Sequence, residues 1–521
     1  MLATQMPHLL TDFYKECHWQ QYNPEITKLY SYYTPRGTRT SRDTVVFFGL
    51  QYYIKEYLIN GFNKYFFSRP KEEVIAEYER IMSYTLSNTN YDSSRWVKLH
   101  DLGYLPLCIS AIPEGTVMPV KVPMIEITNT HDDFAWLVNT IETSMSSELW
   151  HIMTAATIGD DYYKIAKHFY DKTVDGNIPI HTAICDFSMR GNKGVEAAIT
   201  DSAAFLTSFS KTATIPAIMF LEEFYNCNVE NELVATGLAS TEHSVMCSSK
   251  AIDGDEETLI YRLLSDTYKD ENFTMVLDSY DFWNAVTNIL TIDKIRNCVI
   301  ERGKRGKFVG IRGDSGDPVK IIAGNELSTN KAEHDGLVET LFNIFGGKIN
   351  NKGYIVLNDG IRAVYGDSIT PARANAIYTK LEENRFAANN VLLGMGSYSL
   401  MSAENNTPLT RDTFNVAIKT THCEISSGEE FPIYKQPKTD DGMKFSAKGI
   451  QNVIYNENTK QYELVTSDNK YNMAAEIISE FKNVFYNGQL ITEYSLNEIR
   501  GRLHDDFWTR WWVLQDSWLC T

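Results

Sequence analysis

Phe308-Val-Gly-Ile-Arg-Gly-Asp-Ser-Gly-Asp-Pro318 is the stretch that decides the fold. Its first four residues are an apolar run, and an arginine and acidic residues follow among glycines. A parallel β-strand presents polar groups in this way at its carboxyl end. The stretch therefore predicts a buried strand that delivers Arg312 and Asp314 to a functional edge.

The same pattern recurs five times between residues 178 and 397. The apolar runs at 178–184, 233–238, 273–277, 354–357 and 391–393 lead into Asp186-Phe187, Ser240 to Ser244, Asp278 to Asp281, Asn358-Asp359-Gly360 and Gly394 to Ser397. Helix-length segments separate the runs, which predicts an α/β barrel whose site collects the strand ends. In any one segment Asp, Ser and Gly could simply terminate a strand; the recurrence favours a common site.

Composition and charge limit the class of protein. A hydrophobic fraction of 43% predicts a folded chain, and a net charge of -18 argues against nucleic acid and anionic membranes as partners. The eight cysteines include no C-x-x-C pair, so we expect reduced thiols in a cytoplasmic protein. We expect neither secretion nor a membrane span, because the sequence has no signal-like start and no run near 18 apolar residues.

The rhythm of strands and polar ends is confined to the middle of the chain. Short β-like segments around Pro and Gly between Leu105 and Thr128, and alternating residues between Gly442 and Val465, indicate antiparallel strands instead. We predict a β/α barrel over residues 151–411. Residues 1–150 and 412–521 are predicted to form a second, mainly antiparallel sheet domain built from both chain ends.

The predicted strand ends carry the chemistry for a phosphorylated sugar. The side chains that would converge are Phe187, Arg190, His243, Asp278, Arg312 and Asp314. Arginines bind anionic oxygens in a forked geometry, and carboxylates accept from hydroxyls or hold Mg²⁺ through water. An aromatic ring could stack on a flat heterocycle, although Phe187 could equally be an ordinary core residue.

Glycoside hydrolysis is the alternative chemistry for a barrel of this kind. It would use a carboxylate pair such as Glu242 and Asp278. That alternative accounts for the acids but gives Arg190 and Arg312 no role.

Ordered motifs along most of the chain resemble the nicotinate and nicotinamide branch of the type II phosphoribosyltransferases, including the nicotinamide phosphoribosyltransferases. The matching segments are Asp12 to Tyr22, Ser31 to Arg36, Phe48 to Tyr52, Pro113-Glu-Gly115, Asp186 to Gly191, Glu242-His243-Ser244, Asp278 to Asp281, Arg312 to Gly316, Asp359-Gly360 and Leu409 to Asp412. The resemblance implies an irregular β/α barrel. It also implies transfer of a phosphoribosyl group from 5-phosphoribosyl 1-pyrophosphate (PRPP) to nicotinamide, giving nicotinamide mononucleotide and pyrophosphate in NAD salvage.

The resemblance implies a pyridine site shared between two subunits. Phe187 and Tyr14 match the aromatic residues that sandwich the pyridine ring, with Tyr14 supplied by the partner subunit of a homodimer. An N-terminal segment would thus lie at the dimer interface. Arg190 and Arg312 match residues of the same pyridine-binding group.

The resemblance also implies the catalytic residues and cofactors. His243 matches the histidine that the family phosphorylates with ATP, and Glu242 would orient or assist it. Asp278, Arg312 and Asp314 match residues that hold the ribose hydroxyls, the pyridine substituent and the Mg²⁺-pyrophosphate end. Mg²⁺ is thus an implied cofactor, bound through pyrophosphate with Asp278 and Asp314 nearby, and ATP is an implied coupled activator.

A larger set matches the groups that bind the donor and its phosphates, some of them across the dimer. It consists of Arg36, Ser315, Gly316, Asn358, Asp359, Gly360, Gly394, Gly396, Ser397, Arg411 and Lys419, with Lys435 or Lys444 as further basic groups.

The chain departs from the family pattern at three places. Ala213 stands where an aspartate recognises the amide, which leaves nicotinate open as the substrate. Ser397 follows Gly396 where successive glycines are usual, and Asn358 also replaces a glycine. Because bare backbone lets N–H groups approach a 5′-phosphate, these changes raise an alternative donor, ADP-ribose pyrophosphate, which would give NAD directly. An inactive scaffold is the non-enzyme alternative.

Overall fold

The computed structural model describes residues 5–86, 91–176, 178–403, 406–439, 446–469 and 478–505. Lys444, one of the expected basic groups, lies outside these residues. The cysteines within them are all free thiols.

Strands and helices are numbered here in chain order within the described residues. The strands are β1 Ile26–Pro35, β2 Thr44–Val46, β3 Leu107–Ala111, β4 Val117–Pro119, β5 Ile125–Asn129, β6 Ile184–Asp186, β7 Ala239–Ser240, β8 Phe273–Val276, β9 Val309–Gly313, β10 Gly347–Ile349, β11 Ile355–Leu357, β12 Ile361–Tyr365, β13 Val391–Met395, β14 Val416–Ile425, β15 Glu430–Pro432, β16 Ile450–Asn456, β17 Gln461–Ser467, β18 Lys482–Tyr486 and β19 Gln489–Leu490. The α-helices are α1 His18–Gln21, α2 Leu50–Tyr53, α3 Lys71–Thr85, α4 Ser94–Leu102, α5 Ala135–Thr140, α6 Glu142–Thr173, α7 Val195–Phe205, α8 Pro216–Tyr225, α9 His243–Asp253, α10 Glu257–Arg262, α11 Phe282–Asn284, α12 Asp293–Lys304, α13 Pro318–Ala323, α14 Lys331–Phe345, α15 Pro371–Glu383, α16 Tyr398–Met401 and α17 Leu496–Leu503.

The chain forms two compact units. The first contains described residues of 1–156, 221–227 and 407–503, and the second contains those of 157–220, 228–406 and from 504 onward. The sequence-based boundaries after residues 150 and 411 stay predictions. No sequence feature indicated that the short segment 221–227, which includes the end of α8, belongs with the first unit.

A seven-stranded antiparallel sheet dominates the first unit. Its strand order is β15-β14-β1-β5-β3-β18-β19. The two ten-residue strands β1 and β14 pair over their length, with Tyr33 opposite Ile418. Five consecutive residues of β1, Leu29 to Tyr33, are buried, so both faces of this strand are covered. The prediction that both chain ends build one antiparallel sheet is confirmed.

A parallel sheet dominates the second unit. Its order is β6-β13-β12-β9-β8-β7, and every neighbouring pair is parallel. Single parallel bridges link Asp186 to Thr212 and Lys211 to Thr236, so the segment at 211–212 connects the β6 edge with the residues before β7. The sheet thereby curves into an irregular barrel with helices between its strands, which confirms the predicted fold class.

The interior of this barrel is tightly packed around β9. A Cβ atom on Gly310 would lie 2.7 Å from Val364 and 2.8 Å from Thr274, on the two neighbouring strands. The glycine is therefore required by packing. The side chains of Val364 and Thr274 fill the space at this level.

One strand prediction was wrong. The run ending at Leu357 belongs to β11, which pairs antiparallel with β10 and lies outside the parallel sheet. The barrel strand is the next apolar run, β12, which begins after the Asn358-Asp359-Gly360 turn. Both runs are short and apolar, so hydrophobic pattern alone could not distinguish them.

Candidate active site

Four predicted residues meet at the carboxyl edge of β7, β8 and β9. Nε2 of His243, the first residue of α9, lies 2.9 Å from Oδ1 of Asp278. Oδ2 of Asp278 accepts a hydrogen bond from the N–H of Asp314 at 2.8 Å. Arg312 lies 3.2 Å from the carboxylate of Asp314 and donates to Ser240 Oγ at 2.8 Å. The convergence of these strand ends is therefore a property of the fold.

The two carboxylates of this network have opposite electrostatic environments. Burial opposes ionisation of Asp278, but hydrogen bonds from Ser315, the Asp314 N–H and His243 outweigh it and lower the pKa of Asp278. Burial raises the pKa of Asp314, Arg312 opposes that shift, and the neighbouring Asp278 charge adds to it. One acid is thus held ionised, whereas its neighbour gains a proton more easily than an ordinary aspartate.

Phe187 is held beside the end of β13. Its N–H donates to the carbonyl of Met395 at 2.8 Å, and its side chain is half-buried. A Cβ atom on Gly394 would lie 2.7 Å from the Phe187 ring. The glycine therefore lets the Phe187 ring approach the backbone of the strand end closely.

A buried carboxylate fixes the turn that carries Phe187. Oδ2 of Asp186 accepts hydrogen bonds from the hydroxyls of Ser202, Thr212 and Thr214, and Oδ1 accepts from the N–H of Ser188. All of its partners are donors, so Asp186 acts as a structural anchor.

The remaining residues predicted around Phe187 and α9 are exposed. Arg190 lies in a short helical turn, Met189–Gly191, and its side chain faces solvent. Glu242 immediately precedes α9, and its carboxylate accepts a hydrogen bond from Ser244. Glu242 therefore directly precedes His243 in the chain, and its side chain is hydrogen-bonded to Ser244.

The loops after β9 and β13 carry the predicted donor-binding residues. Ser315 is exposed, and the carbonyl of Gly316 accepts from the hydroxyl of Tyr365 at 2.9 Å. Gly396 and Ser397 follow β13, and the Ser397 hydroxyl lies against Gly191. These residues lie on the same sheet edge as Asp314.

Asn358, Asp359 and Gly360 lie at the opposite edge, so their predicted position is wrong. They precede β12, and the carbonyl of Asn358 accepts from Arg362 at 3.0 Å. The backbone of Gly360 is close enough to Gly303 of α12 that a Cβ on Gly303 would lie 2.6 Å from its nitrogen. These glycines serve packing at the amino ends of the strands.

The residues that follow β12, at the carboxyl edge of the parallel sheet, were not among those predicted from the sequence. They are Gly366, Asp367 and Ser368. A Cβ on Gly366 would collide with Asp314 and Arg312, and a Cβ on Gly396 would lie 3.4 Å from Asp367. The Gly-Asp-Ser sequence after an apolar run was the available signal, whereas the prediction placed the strand end at Asn358-Asp359-Gly360.

The first unit holds a separate basic cavity. It has a volume of about 300 Å³, and its lining includes Arg36, which directly follows β1, Lys419 of β14, and Lys121, which the sequence did not indicate. Arg36 donates to the Asn415 side chain at 3.0 Å. Burial lowers the pKa of Lys419, although the nearby Glu142 opposes the shift. Three cationic groups in one cavity suit an anionic ligand.

The other predicted residues of the first unit are exposed. Tyr14 is 61% exposed within the helical turn Phe13–Cys17. Arg411 pairs with Asp412 at 3.3 Å, and Lys435 faces solvent. An exposed tyrosine of this size is available to a partner molecule.

No direct metal site is formed by protein side chains alone within the described ranges. There, no group of three or more His, Cys, Asp or Glu residues is arranged to hold an ion. Asp278 and Asp314 offer carboxylate oxygens, which are donors that Mg²⁺ accepts together with water and phosphate. The helices in the described parts of the chain include none that could cross a bilayer.

Comparison with known proteins agrees with this geometry. Residues 182–482 match the nicotinate phosphoribosyltransferase (NAPRTase) family, and residues 8–99 match the nicotinamide phosphoribosyltransferase N-terminal domain. The chain is 36% identical over 503 residues to a nicotinamide phosphoribosyltransferase of Acinetobacter baylyi, covering 94% of this chain and 96% of that protein. A nicotinamide phosphoribosyltransferase of Xanthomonas campestris pv. campestris is 29% identical over 94% of this chain and 97% of its own length.

Solved structures support the fold. A nicotinate-nucleotide pyrophosphorylase from Pyrococcus furiosus aligns with a TM-score of 0.56 at 13% identity, covering 96% of this chain and 95% of that chain. Human nicotinic acid phosphoribosyltransferase aligns with a TM-score of 0.50 at 14% identity, covering 96% and 94%. The solved structures and the converging strand ends agree with the sequence matches. From those matches it follows that the chain is a pentosyltransferase that belongs to the nicotinate phosphoribosyltransferase family.

Proposed function

We propose that the chain transfers the 5-phosphoribosyl group of PRPP to nicotinamide, giving nicotinamide mononucleotide and pyrophosphate for NAD salvage. The observation that carries the proposal is the network of Arg312, Asp314, Asp278 and His243 at one sheet edge. The choice of nicotinamide as acceptor is supported by relatives that bear the name nicotinamide phosphoribosyltransferase.

The proposed reaction displaces pyrophosphate from ribose C1. The pyridine nitrogen forms a bond to ribose C1 while the bond from C1 to the pyrophosphate oxygen breaks. The electron pair of the broken bond leaves with pyrophosphate. Such a step depends on positioning and on charge stabilisation rather than on a protein base. In this scheme Phe187 stacks on the pyridine, Arg312 binds its substituent, and the ionised Asp278 accepts from ribose hydroxyls.

Mg²⁺ is the proposed cofactor, and ATP is a proposed activator. Asp278 and Asp314 would hold the ion through water and the donor pyrophosphate, where it would neutralise charge on the leaving group. His243 would accept the terminal phosphoryl group of ATP on its ring as ADP leaves, with Asp278 orienting the ring through their hydrogen bond. Both roles stay proposals.

The primary test combines the purified chain, nicotinamide, PRPP and Mg²⁺. We expect nicotinamide mononucleotide and pyrophosphate in equal amounts, with turnover strongly reduced in Arg312→Lys because the bidentate fork is lost. Asp359→Asn is the matched control, since Asp359 lies at the other edge of the barrel. Absence of product with every pyridine and donor would contradict the proposal and favour an inactive scaffold, and cleavage of a glycoside would favour the glycosidase alternative.

The choice of acceptor needs a separate experiment because of position 213. Ala213 is exposed, and its N–H donates to the Asp186 carbonyl at 2.8 Å, so it belongs to the turn beside Phe187. An alanine offers no acceptor for an amide NH₂ and does not repel a carboxylate. We expect nicotinamide to be preferred and Ala213→Asp to sharpen that preference. A higher kcat/KM for nicotinate in the unaltered chain would make nicotinate the substrate.

ADP-ribose pyrophosphate is the second candidate donor, and the loops facing each other at 366–368 and 396–398 favour it. Ser368 adopts a left-handed φ of 51°, a conformation that glycine takes most easily, and Ser397 also carries a side chain. Both side chains change the surface available to a 5′-phosphate. Incubation with nicotinamide and each donor separately distinguishes the candidates: NAD from ADP-ribose pyrophosphate with no product from PRPP would replace the primary proposal.

A homodimer with shared sites is the proposed assembly, in which Tyr14 of a second copy, with some of the basic groups Arg36, Arg411 and Lys419, completes each site. The exposed Tyr14 ring and the basic cavity at Arg36 and Lys419 support it. Mixing Tyr14→Ala with His243→Ala chains is a direct test. Random exchange should restore about a quarter of full activity, since half of the dimers would hold one intact site. No restoration of activity after exchange would contradict shared sites.

A cytoplasmic location of the protein stays a prediction.

A further inference from the structure

Helix α9 carries the candidate catalytic histidine, His243, as its first residue. Within the described residues 243–253 of this helix, Met246 is the buried one, and the side chain of the preceding Glu242 accepts no hydrogen bond from the N–H groups of the first turn. Most helices in proteins are stabilised by packing of one face, and an uncapped first turn tends to fray. The position of His243 therefore depends on contacts that other elements make with α9.

The loop that follows β8 makes such contacts along one face of α9. Asp278 lies 2.9 Å from the ring of His243. Two residues later, the Tyr280 hydroxyl is hydrogen-bonded to the Cys247 thiol, and the Nζ of Lys250 lies 3.8 Å from the centroid of the Tyr280 ring. Because positions 243, 247 and 250 are four and three residues apart, they share one face of the helix. The loop therefore contacts α9 over two consecutive turns.

This loop is fixed at both of its ends. The carboxylate of Asp278 accepts a hydrogen bond from the N–H of Asp314 at 2.8 Å. The carboxylate of Asp281 accepts one from the N–H of Asn284 at 2.9 Å, at the start of α11. Tyr280 lies between these two fixed residues. A side chain on a loop that is held in this way can fix the position of the element that it contacts.

The two contacts of Tyr280 with α9 differ in kind. The hydrogen bond with Cys247 raises the pKa of Tyr280, so the hydroxyl keeps its proton and donates it to the sulfur. The ammonium group of Lys250 lies over the ring as a cation–π contact, and its other neighbour is the buried carboxylate of Glu256 at 3.5 Å. Both contacts use a tyrosine that is 54% exposed, so they are not a by-product of core packing.

We propose that Tyr280 is a positioning residue for His243: its contacts with Cys247 and Lys250 hold α9 so that the imidazole ring stays beside Asp278. The inference rests on the proposed function, in which His243 accepts a phosphoryl group from ATP. Tyr280 acts through the helix and not on the substrate. An exposed cation–π contact shifts an equilibrium by about two- to fivefold, and the hydrogen bond adds to this effect.

Steady-state kinetics of Tyr280→Leu with nicotinamide, PRPP, Mg²⁺ and ATP test the proposal. We expect kcat to fall about five- to tenfold, because both contacts are lost. The KM for nicotinamide should stay within about twofold, because Phe187 and Arg312 are unchanged. Tyr261→Leu is the matched control, since Lys294 lies 4.8 Å from the centroid of that ring but Tyr261 belongs to α10. A normal kcat in Tyr280→Leu, or equal losses in the two variants, would overturn the proposal.

Conservative changes at position 247 separate positioning from a general loss of structure. Cys247→Ala removes the acceptor for the Tyr280 hydroxyl, whereas Cys247→Ser keeps one. We expect kcat to fall about threefold in Cys247→Ala and in Tyr280→Phe, and no further in the double variant, because each change removes the same hydrogen bond. Cys247→Ser should stay near normal. Additive losses in the double variant, or equal losses in Cys247→Ser and Cys247→Ala, would contradict the role of this bond.

Amide hydrogen exchange without substrates distinguishes failure of this inference from failure of the proposed function. We expect the amides in the first two turns of α9 to exchange at least about fivefold faster in Tyr280→Leu than in the unaltered chain, and the amides of α15 to keep their rate. Absence of phosphoribosyl transfer by the unaltered chain would contradict the proposed function. Transfer by the unaltered chain, together with equal exchange of α9 in the two chains, would overturn the role of Tyr280.

Discussion

Nε2 of His243 lies 2.9 Å from one oxygen of Asp278, whose other oxygen accepts the N–H of Asp314 at 2.8 Å. One carboxylate therefore joins the ends of β8 and β9 to the start of α9. The hydrogen bonds lower the pKa of Asp278 despite its partial burial. It is ionised at neutral pH and fixes the orientation of the histidine ring.

Replacing Asp278 by asparagine should reduce turnover by about a hundredfold, in the range seen when one oriented charge is removed. The amide side chain would keep the shape but lose the negative charge that binds the His243 ring. The measurement is steady-state pyrophosphate release with and without ATP. Asp281→Asn is the control: the Asp281 side chain accepts the N–H of Asn284 as the cap of α11, and asparagine is an equally good cap. Equal losses in both variants would contradict the role of Asp278.

Asp367 and Asp359 provide a comparison between the two edges of the barrel. Asp367 follows β12 near Gly396, whereas Asp359 precedes β12. We expect Asp367→Asn to raise the KM for the donor by about tenfold, and Asp359→Asn to leave the kinetics unchanged. The opposite outcome would show that the donor binds at the amino ends of the strands.

The position of these two aspartates shows what the sequence could and could not reveal. Strand ends at Asp278 and Asp314 follow single, well-separated apolar runs, so their convergence was predictable. Near Asp359 two apolar runs lie four residues apart, and only the pairing of β12 with β9 identifies the barrel strand. Pairing depends on distant residues, which local hydrophobicity does not encode.

Other features of the site also depended on tertiary contacts. Lys121 joins Arg36 and Lys419 in one cavity although it follows no recognisable motif. The opposite pKa shifts of Asp278 and Asp314 arise from burial and from hydrogen bonds between loops. The sequence predicts which residue types are present, whereas their protonation depends on their surroundings.

Gly394→Ala should weaken pyridine binding. The new Cβ would lie 2.7 Å from the Phe187 ring and would push it from the strand end. We expect the KM for nicotinamide to rise by about tenfold or more, because a displacement of about 1 Å in a positioned group is costly. Gly194→Ala is the control, since a Cβ there meets no atom within 4 Å. A normal KM with Gly394→Ala would show that Phe187 does not hold the pyridine.

Asp314→Asn should separate activity from stability. Because burial raises its pKa, Asp314 contributes stability that is complete below its unfolded pKa and is lost as pH rises through the folded value. The neutral variant should therefore melt at a higher temperature near neutral pH, and this gain should vanish in acid. Activity should fall throughout. Thermal melts across pH check the stability, and kinetics across pH check the activity. A lower melting temperature of the variant at neutral pH would show that the ion pair with Arg312 stabilises the ionised Asp314 more than burial destabilises it.

Asp186→Asn should destabilise the second unit and displace Phe187. Every hydrogen bond to this buried carboxylate comes from a donor, including Thr212 at 2.8 Å and Thr214 at 3.2 Å. An asparagine would direct its own NH₂ group at some of these donors and would lose the charge that strengthens the bonds. We expect the free energy of unfolding to fall by about 2–3 kcal/mol, together with a higher KM for nicotinamide.

Denaturant-induced unfolding of the second unit measures how far Asp186→Asn lowers the free energy of unfolding. Thr214→Val is the graded comparison, because it removes only the longest of the hydrogen bonds to Asp186 and should cost about 1 kcal/mol. A larger loss in Thr214→Val than in Asp186→Asn would contradict the anchoring role, since the carboxylate could then be neutralised without disturbing its donors. If Asp186 does anchor the turn, stability and pyridine affinity should decline together across the two variants, because the same turn carries Phe187.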